Sequence, residues 1–243
     1  MKVEGKSTRY HERRNIKLPL EIFYRESDAH EWSETARTEQ LTICGVGFSL
    51  SRVIEPNRLV RLRLPMPKSY RLFDFTKEVY EVWGMVRHLD LLGRDEFGQL
   101  RLASGAALVG PKPPSSYLAE PRTLYDLKPV LKRQNFWDLR EMPRRNGPFG
   151  RSLEVRRSLT RSVALQTIDA RGRAGETVAA ETLNVSESGA AVVVESPEIA
   201  ASYVLLETGA TGKPFVAAVR GRHRLDEKTL RVHLEFISGK WII

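Results

Sequence analysis

The 243-residue chain has a single thiol, Cys44. That excludes an intramolecular disulfide and any site built on several thiolates. No apolar run approaches the roughly 18 to 20 residues that cross a bilayer as a helix. The opening stretch, MKVEGKSTRYHERRN, lacks the apolar core of a secretory signal. The expected location is the cytoplasm, so Asn184-Val185-Ser186, formally a glycosylation sequon, needs another reading. Histidine is scarce too: residues 11, 30, 88, 223 and 233 fall in no metal-ligand spacing and beside no nucleophile motif. GATGKPF (209–215) lacks the full phosphate-loop spacing and reads as a hairpin turn. Nothing here supports an enzyme, a metal or a bound cofactor.

What is present has the balance of a folded soluble protein: 41% hydrophobic and 28% charged residues argue against disorder. The formal net charge of +9 points to nucleic acid, phosphates or an anionic surface as a partner. Its placement is uneven. Residues 140 to 161 hold arginines at 140, 144, 145, 151, 156, 157 and 161 against only Glu141 and Glu154. Elsewhere the signs are mixed.

The dominant period is two. Val60, Leu62 and Leu64 alternate with arginines, and Leu230, Val232, Leu234 and Phe236 with Arg231, His233 and Glu235; Leu18, Leu20 and Ile22 alternate with Lys17, Pro19 and Glu21, and Tyr80, Val82, Gly84 and Val86 form another alternating set. Such runs predict half-buried antiparallel strands. The pattern breaks between PKPPSS and MPRRNGPFG, where apolar residues at 124, 127, 130, 131 and 137 have a loose helical spacing interrupted by Pro121 and Pro129. A short helical connector is expected there, with Phe136 and Trp137 packed on a neighbouring barrel. The flanks look alike: RRNIKLPLEI (13–22) and RRSLTRSVAL (156–165) each lead, after a polar gap, to a glycine turn and an apolar strand, LTICGVGFSL and LNVSESGAAV. Repeats of this kind predict two copies of one module. The expected fold is all-β: two small antiparallel β-barrels joined by a partly helical linker, with domains at 1–112 and 151–243 and the linker at 113–150.

Two stretches carry chemistry. RSLTR sets Arg157 and Arg161 four apart, with Arg156 just before, ahead of the second module's first strand. A guanidinium fork holds two phosphate oxygens at once, pairs with the O6/N7 edge of guanine and stacks on bases. NVSESG then offers the Asn184 amide and the Ser186 hydroxyl on one face, with Gly189 to permit a positive φ or a close approach. Taken alone, Asn184 and Ser186 could simply cap a turn. Cys44 reads as a partly buried structural thiol.

RSLTR followed 23 residues later by NVSESG resembles the RxxxR and [D/N]xSxxG signatures of the PilZ family of cyclic di-GMP receptors. The likeness covers about the last 90 residues, with both motifs intact and in order. It implies a six-stranded barrel with the arginines on an arm that closes over ligand. Arg157 and Arg161 would then grip phosphate and guanine, Asn184 and Ser186 would contact a guanine, Gly189 would shape the turn, and Arg156 would add a contact. The first module resembles the family more faintly. Arg13 stands for the first arginine, Lys17 for the second, Thr42 for the amide, Cys44 for the serine, and Gly47 for the glycine. Arg9 to Arg13 gives an alternative RxxxR four residues too early. A lysine without the fork and a weakly bonding thiol imply a module that does not bind the nucleotide.

The resemblance implies a receptor acting on a protein partner, with output on motility, exopolysaccharide, adhesion or virulence, and no cofactor beyond the ligand cyclic di-GMP. Two other classes stay open. One is a PilZ-fold adaptor that binds no nucleotide. The other is a nucleic-acid binder, against which the aromatics count because they are not interleaved with the basic residues.

Overall fold

Alternation with a period of two becomes antiparallel sheet over most of the chain. The computed structural model describes residues 13–128, 136–143, 155–195, 199–209 and 213–241. In its first half, β1 (Pro19–Arg25), β2 (Glu31–Thr42), β3 (Gly45–Leu50), β4 (Leu59–Leu64), β5 (Tyr80–Arg94) and β6 (Leu100–Gly110) close into a barrel in the order β1-β2-β3-β6-β5-β4. Leu20, Ile22 and Tyr24 of β1 and Val60, Leu62 and Leu64 of β4 face inward and are almost wholly buried. Each such side chain contributes roughly 1.5 to 3 kcal/mol. Closure leaves no unpaired edge inside the ring.

A short helix, α1 (Ser115–Ala119), and a two-stranded sheet of β7 (Tyr125–Leu127) and β8 (Leu139–Glu141) follow. Tyr117 and Tyr125 pack with Leu59 and Met85 of the first barrel, flanked by Trp83, Val109, Leu127 and Leu139. Trp137 donates its indole N–H to the Cys44 carbonyl at 3.1 Å, and Phe136 meets Phe73 edge-on at 5.7 Å. The helical spacing expected over 124–137 is not used where it is described. Residues 125–127 are extended because β8 pairs with them, and 129–135, Pro129 included, lie outside the described residues.

The second half repeats the plan. β9 (Arg157–Ser158) is followed by β10 (Ser162–Ile168), β11 (Ala174–Ser186), β12 (Gly189–Glu195), β13 (Tyr203–Glu207), β14 (Phe215–Arg224) and β15 (Thr229–Phe236). The last six form a ring in the order β10-β13-β14-β15-β12-β11, closed by β10–β11 pairing, and β9 lies against β11. Read from β10 through β11, this is the order of the first barrel strand for strand. The repeated module inferred from the two sequence flanks is thus a repeated topology. Its core runs through Val185, Val192, Val204, Leu206, Ala217 and Val232, all fully buried. One end is filled by Phe215 and Phe236 stacked at 5.0 Å, with Trp241 beside them.

Contacts divide the chain into two compact units. The first takes the described residues up to Ser49, Asn57–Arg87 and Gly105–Met142; the second takes Leu50–Pro56, His88–Ser104 and the described residues from Pro143 onward. The stretch read as linker therefore belongs to the first unit as far as Met142. Inside the second unit, Arg220 holds the Glu55 carboxylate with two bonds of 3.1 and 2.7 Å and bonds Glu235 at 2.7 Å. The Tyr203 hydroxyl adds a third bond to Glu55 at 3.0 Å. The Glu55 side chain is only 11% exposed, against 45% for Arg220. A carboxylate so covered is tolerated because three donor bonds, two of them from a guanidinium, reach it. Glu55→Ala is expected to lower the unfolding free energy by about 1 to 2 kcal/mol, below the range for fully buried pairs because Arg220 keeps water. Denaturant titration beside Glu176→Ala, an exposed position of the same unit, checks this; equal midpoints for the two variants would refute it.

Candidate functional site

β11 is thirteen residues long and does not keep one phase. Its pairing with β12 slips between Thr182 and Asn184. That bulge inserts Leu183 as an extra outward residue, 39% exposed, so that Thr182 faces in before it and Val185 faces in after it. Bulges re-aim side chains in this way. The consequence is that Asn184, which unbroken alternation would place on the inner face with Thr182, lies half-buried on the outer face.

The arm is laid against this point. Ser158 pairs with Asn184 and Arg157 with Val185. Thr182, with no exposed surface, then takes the chain on both sides of the next turn. Its hydroxyl accepts the Arg161 N–H at 2.9 Å and donates to the Leu159 carbonyl, while its own N–H donates to the Arg161 carbonyl at 2.9 Å. Arg161 is thus pinned by its backbone while its side chain stays exposed. Arg156 and Arg157 are exposed as well. Arg156 Nη1 points to Asn184 Oδ1 at 3.5 Å, joining the arm to the turn motif 28 residues away.

Ser186 and Gly189 work within the turn. Ser186 is 2% exposed and its hydroxyl donates to the Gly189 carbonyl at 3.4 Å. Gly189 is not one of the glycines with positive φ. A Cβ there would fall 2.4 Å from the Leu234 carbonyl oxygen, so the residue is glycine because β15 comes too close for anything else. Of the two reasons the sequence allowed, close approach is the one used, and the approaching group is the chain's own backbone.

The first barrel repeats the frame bond for bond. Thr38, fully buried, accepts the Leu18 N–H at 2.8 Å, donates to the Ile16 carbonyl and donates its own N–H to the Leu18 carbonyl at 3.0 Å. A bulge follows between Thr38 and Gln40. Arg13 Nη1 donates to Gln40 Oε1 at 3.1 Å, and the Thr42 hydroxyl donates to the Gly45 carbonyl at 3.2 Å. Arg14 bridges to Leu41 as Arg157 does to Val185.

These bonds correct the register of the sequence comparison. Arg14 stands for Arg157, Leu18 for Arg161, Gln40 for Asn184, Thr42 for Ser186 and Gly45 for Gly189. Arg13 is the counterpart of Arg156, and Lys17 that of Thr160. Cys44 is buried in the turn and matches Ser188, its carbonyl accepting the Leu108 N–H at 2.9 Å as that of Ser188 accepts the Phe236 N–H at 2.7 Å. Gly47 pairs with Gln40 and matches Ala191. The segment CGVGF holds two glycines, and only the strand pairing decides which one closes the turn. The element missed from sequence was the threonine, although TEQ (38–40) and TLN (182–184) carry the same pattern of Thr two residues before an amide.

Arg144, Arg145 and Arg151 of the arginine cluster, the alternative arm from Arg9 and the centre of the 209–215 turn lie outside the described residues. Among the described residues no cluster of three or more His, Cys, Asp or Glu could hold a metal ion, and no helix is long and apolar enough to cross a membrane.

No family model matches the chain, and no curated protein matches it. Solved structures similar to it include the inhibitor of motility MotI/DgrA of Bacillus subtilis, at 12% identity and a TM-score of 0.29 over 91% of this chain and 88% of that one. The K. pneumonia MrkH–c-di-GMP complex gives 12% and 0.28 over 90% and 79%. Borreliella burgdorferi PlzA in complex with c-di-GMP gives 6% and 0.26 over 91% and 81%.

Thr182→Val and Thr38→Val each leave an N–H and a carbonyl of the arm without their partner. Each is expected to cost about 1 to 3 kcal/mol in stability. Amide hydrogen exchange should separate them, with Arg161 deprotected only in Thr182→Val and Leu18 only in Thr38→Val. Unchanged protection in both would show that the arm is held by other contacts.

Proposed function

We propose that this chain is a non-enzymatic receptor for cyclic di-GMP of the PilZ type, with the second barrel as the binding domain. The observation that carries the reading is the convergence of its two motifs. Thr182 pins the backbone of Arg161, and Arg156 reaches Asn184, so three exposed guanidiniums and an outward amide share one edge of β11. That set of groups suits a small phosphodiester with guanine bases. Arg157 and Arg161 supply forks for phosphate oxygens and for the O6/N7 edge of guanine, and their planes can stack on the bases. Asn184 offers donor and acceptor to a base edge. Ser186 and Gly189 act first on the turn that presents Asn184, and a second role for the serine hydroxyl is contact with the base.

In this reading the first barrel does not bind the nucleotide. It keeps Arg13, Arg14, Gln40 and Thr42, but Leu18 replaces the second arginine of the arm, so the fork that would close on the ligand is absent. The output is a change in the arm. The two-residue pairing of β9, the Thr182 bonds and the packing of Leu159 against the core hold residues 157–161 to the barrel. A ligand gripping Arg157 and Arg161 would neutralise and order this segment, and a protein partner that binds only the ordered form would read the signal.

Calorimetric titration of the full chain with cyclic di-GMP tests the proposal. Arg157→Ala and Asn184→Ala are each expected to weaken binding at least tenfold, the effect of losing a charge-assisted or paired hydrogen bond. Arg14→Ala, the counterpart in the first barrel, should bind as wild type does. No heat and no ligand-dependent rise in melting temperature would refute the receptor reading. A steep loss of DNA or RNA affinity with salt would then favour the nucleic-acid class.

A further inference from the structure

The outer wall next to the arm carries charge that the motifs do not account for. β12, β15 and β14 lie side by side, with Ala191, His233 and Gly221 in one row and Val193, Arg231 and His223 in the next. Residues paired across an antiparallel sheet share a face. Asn184 is in turn the partner of Ala191. The first row therefore runs from Asn184 over a small residue to an imidazole. Gly221 keeps the far side open, since even a Cβ there would sit 3.6 Å from the His233 ring. Arg231 Nε is buried and meets no hydrogen-bond partner among the described residues.

The first barrel shows that the fold does not need Arg231 or His233. The shared bonds from Leu108 to Cys44 and from Phe236 to Ser188 put Ala103 and Gly105 of β6 in the places of Arg231 and His233. A barrel of the same topology closes with two small uncharged residues there.

We infer that Arg231, His233 and His223 extend the ligand site from the arm across the wall of β15 and hold a second anionic group of the ligand, an inference that rests on the receptor reading. The charges around His233 are of one sign. Arg231 adjoins it on its own strand, His223 faces it from β14 and Arg156 from the arm; burial first, then these cations, hold its pKa below the usual histidine value. The nearby carboxylates are engaged or distant. Glu235 is bonded to Arg220 at 2.7 Å, and Glu181 lies across Val193, two strands or about 10 Å from Arg231. Arg222 turns away to the carbonyls of Ile199 and Ala201. An anion on this wall would raise the His233 pKa, so binding takes up a proton. The gain in affinity is then complete below the free-state pKa and is lost as pH rises through the bound-state value.

The full chain is titrated with cyclic di-GMP at about pH 6 and about pH 8, with the five imidazoles of the sequence followed by NMR and His233→Gln assigning the resonance. Inorganic pyrophosphate is titrated in parallel as an anion without a base. Expected results are several-fold tighter binding at the lower pH, a raised His233 pKa in the complex, and roughly tenfold weaker binding by Arg231→Ala. His233→Gln should lose the pH dependence while keeping the wild-type melting temperature. If cyclic di-GMP binds and Arg157→Ala abolishes it, yet His233 does not titrate differently and Arg231→Ala binds normally, the wall is not part of the site and the receptor reading stands alone. If pyrophosphate shifts His233 in an Arg231-dependent way while cyclic di-GMP does not bind, the wall is an anion site and the receptor reading falls. No response to either probe overturns both.

Discussion

One buried hydroxyl in each barrel decides where everything near the candidate site can lie. Thr182 and Thr38 each close the same three-bond clamp on the incoming chain, one bond through the backbone and two through the side chain. The hydroxyl both accepts and donates, and threonine alone combines that with the β-branching that suits a strand. Valine would fill the space and leave two buried backbone groups unpaired. Serine would keep the bonds and lose the packing. The clamp sits one residue before a bulge in both barrels, so a single position fixes the end of the arm and the point at which the strand turns its next amide outward.

Two barrels on one frame allow construction to be separated from chemistry. Thr, bulge, Arg–amide contact and turn glycine occur in both, so none of these alone marks a ligand site. In particular, the Arg13–Gln40 contact shows that an arginine meeting an amide at this point belongs to the module. Against the one cation lost at Thr160, which stands for Lys17, three differences run the other way: Arg161 against Leu18, Arg231 against Ala103 and His233 against Gly105. Arg161 and Arg231 add cations to the second barrel and His233 adds a group that becomes one on protonation, and all three lie on or beside the outer face that carries Asn184. Fold stability gives no reason for this, because like charges brought together on one face repel. A polyanionic ligand does.

Much of this was legible in the residues. The period of two gave the strands, and the RRxxx and glycine-turn pairs gave the repeat and, through it, the common topology. Arg156, Arg157 and Asn184 could be proposed as neighbours because the resemblance of RSLTR and NVSESG to a family's paired motifs joined them. The failures share a cause. Which of Gly45 and Gly47 closes a turn depends on where Ala106 and its strand come to lie, and that pairing is non-local. Thr182 looked like one more polar residue in a strand until its partners, 21 and 23 residues away, were seen. Arg231 and His233 are further still from the arm in sequence, and only the β12–β15 pairing brings them beside it. The expected helix fails at 125–127 because the β7–β8 pairing that makes those residues extended is likewise invisible to a local pattern.

The weakness of the arm's attachment follows from the same geometry. β9 contributes only two paired residues, at exposed positions, against seven-residue registers for β1 with β2 and for β12 with β15. A longer pairing would hold the arginines in place and leave a ligand nothing to change. The Thr182 clamp instead fixes the end of the arm at Arg161, while its start is held only by the short β9 pairing and the 3.5 Å contact of Arg156 with Asn184. Stability is concentrated where the module needs it, in the ring and at the buried hydroxyl. Arg156 and Arg157 lie on a short, exposed pairing of the second unit, where a segment must lie if binding is to reorder it.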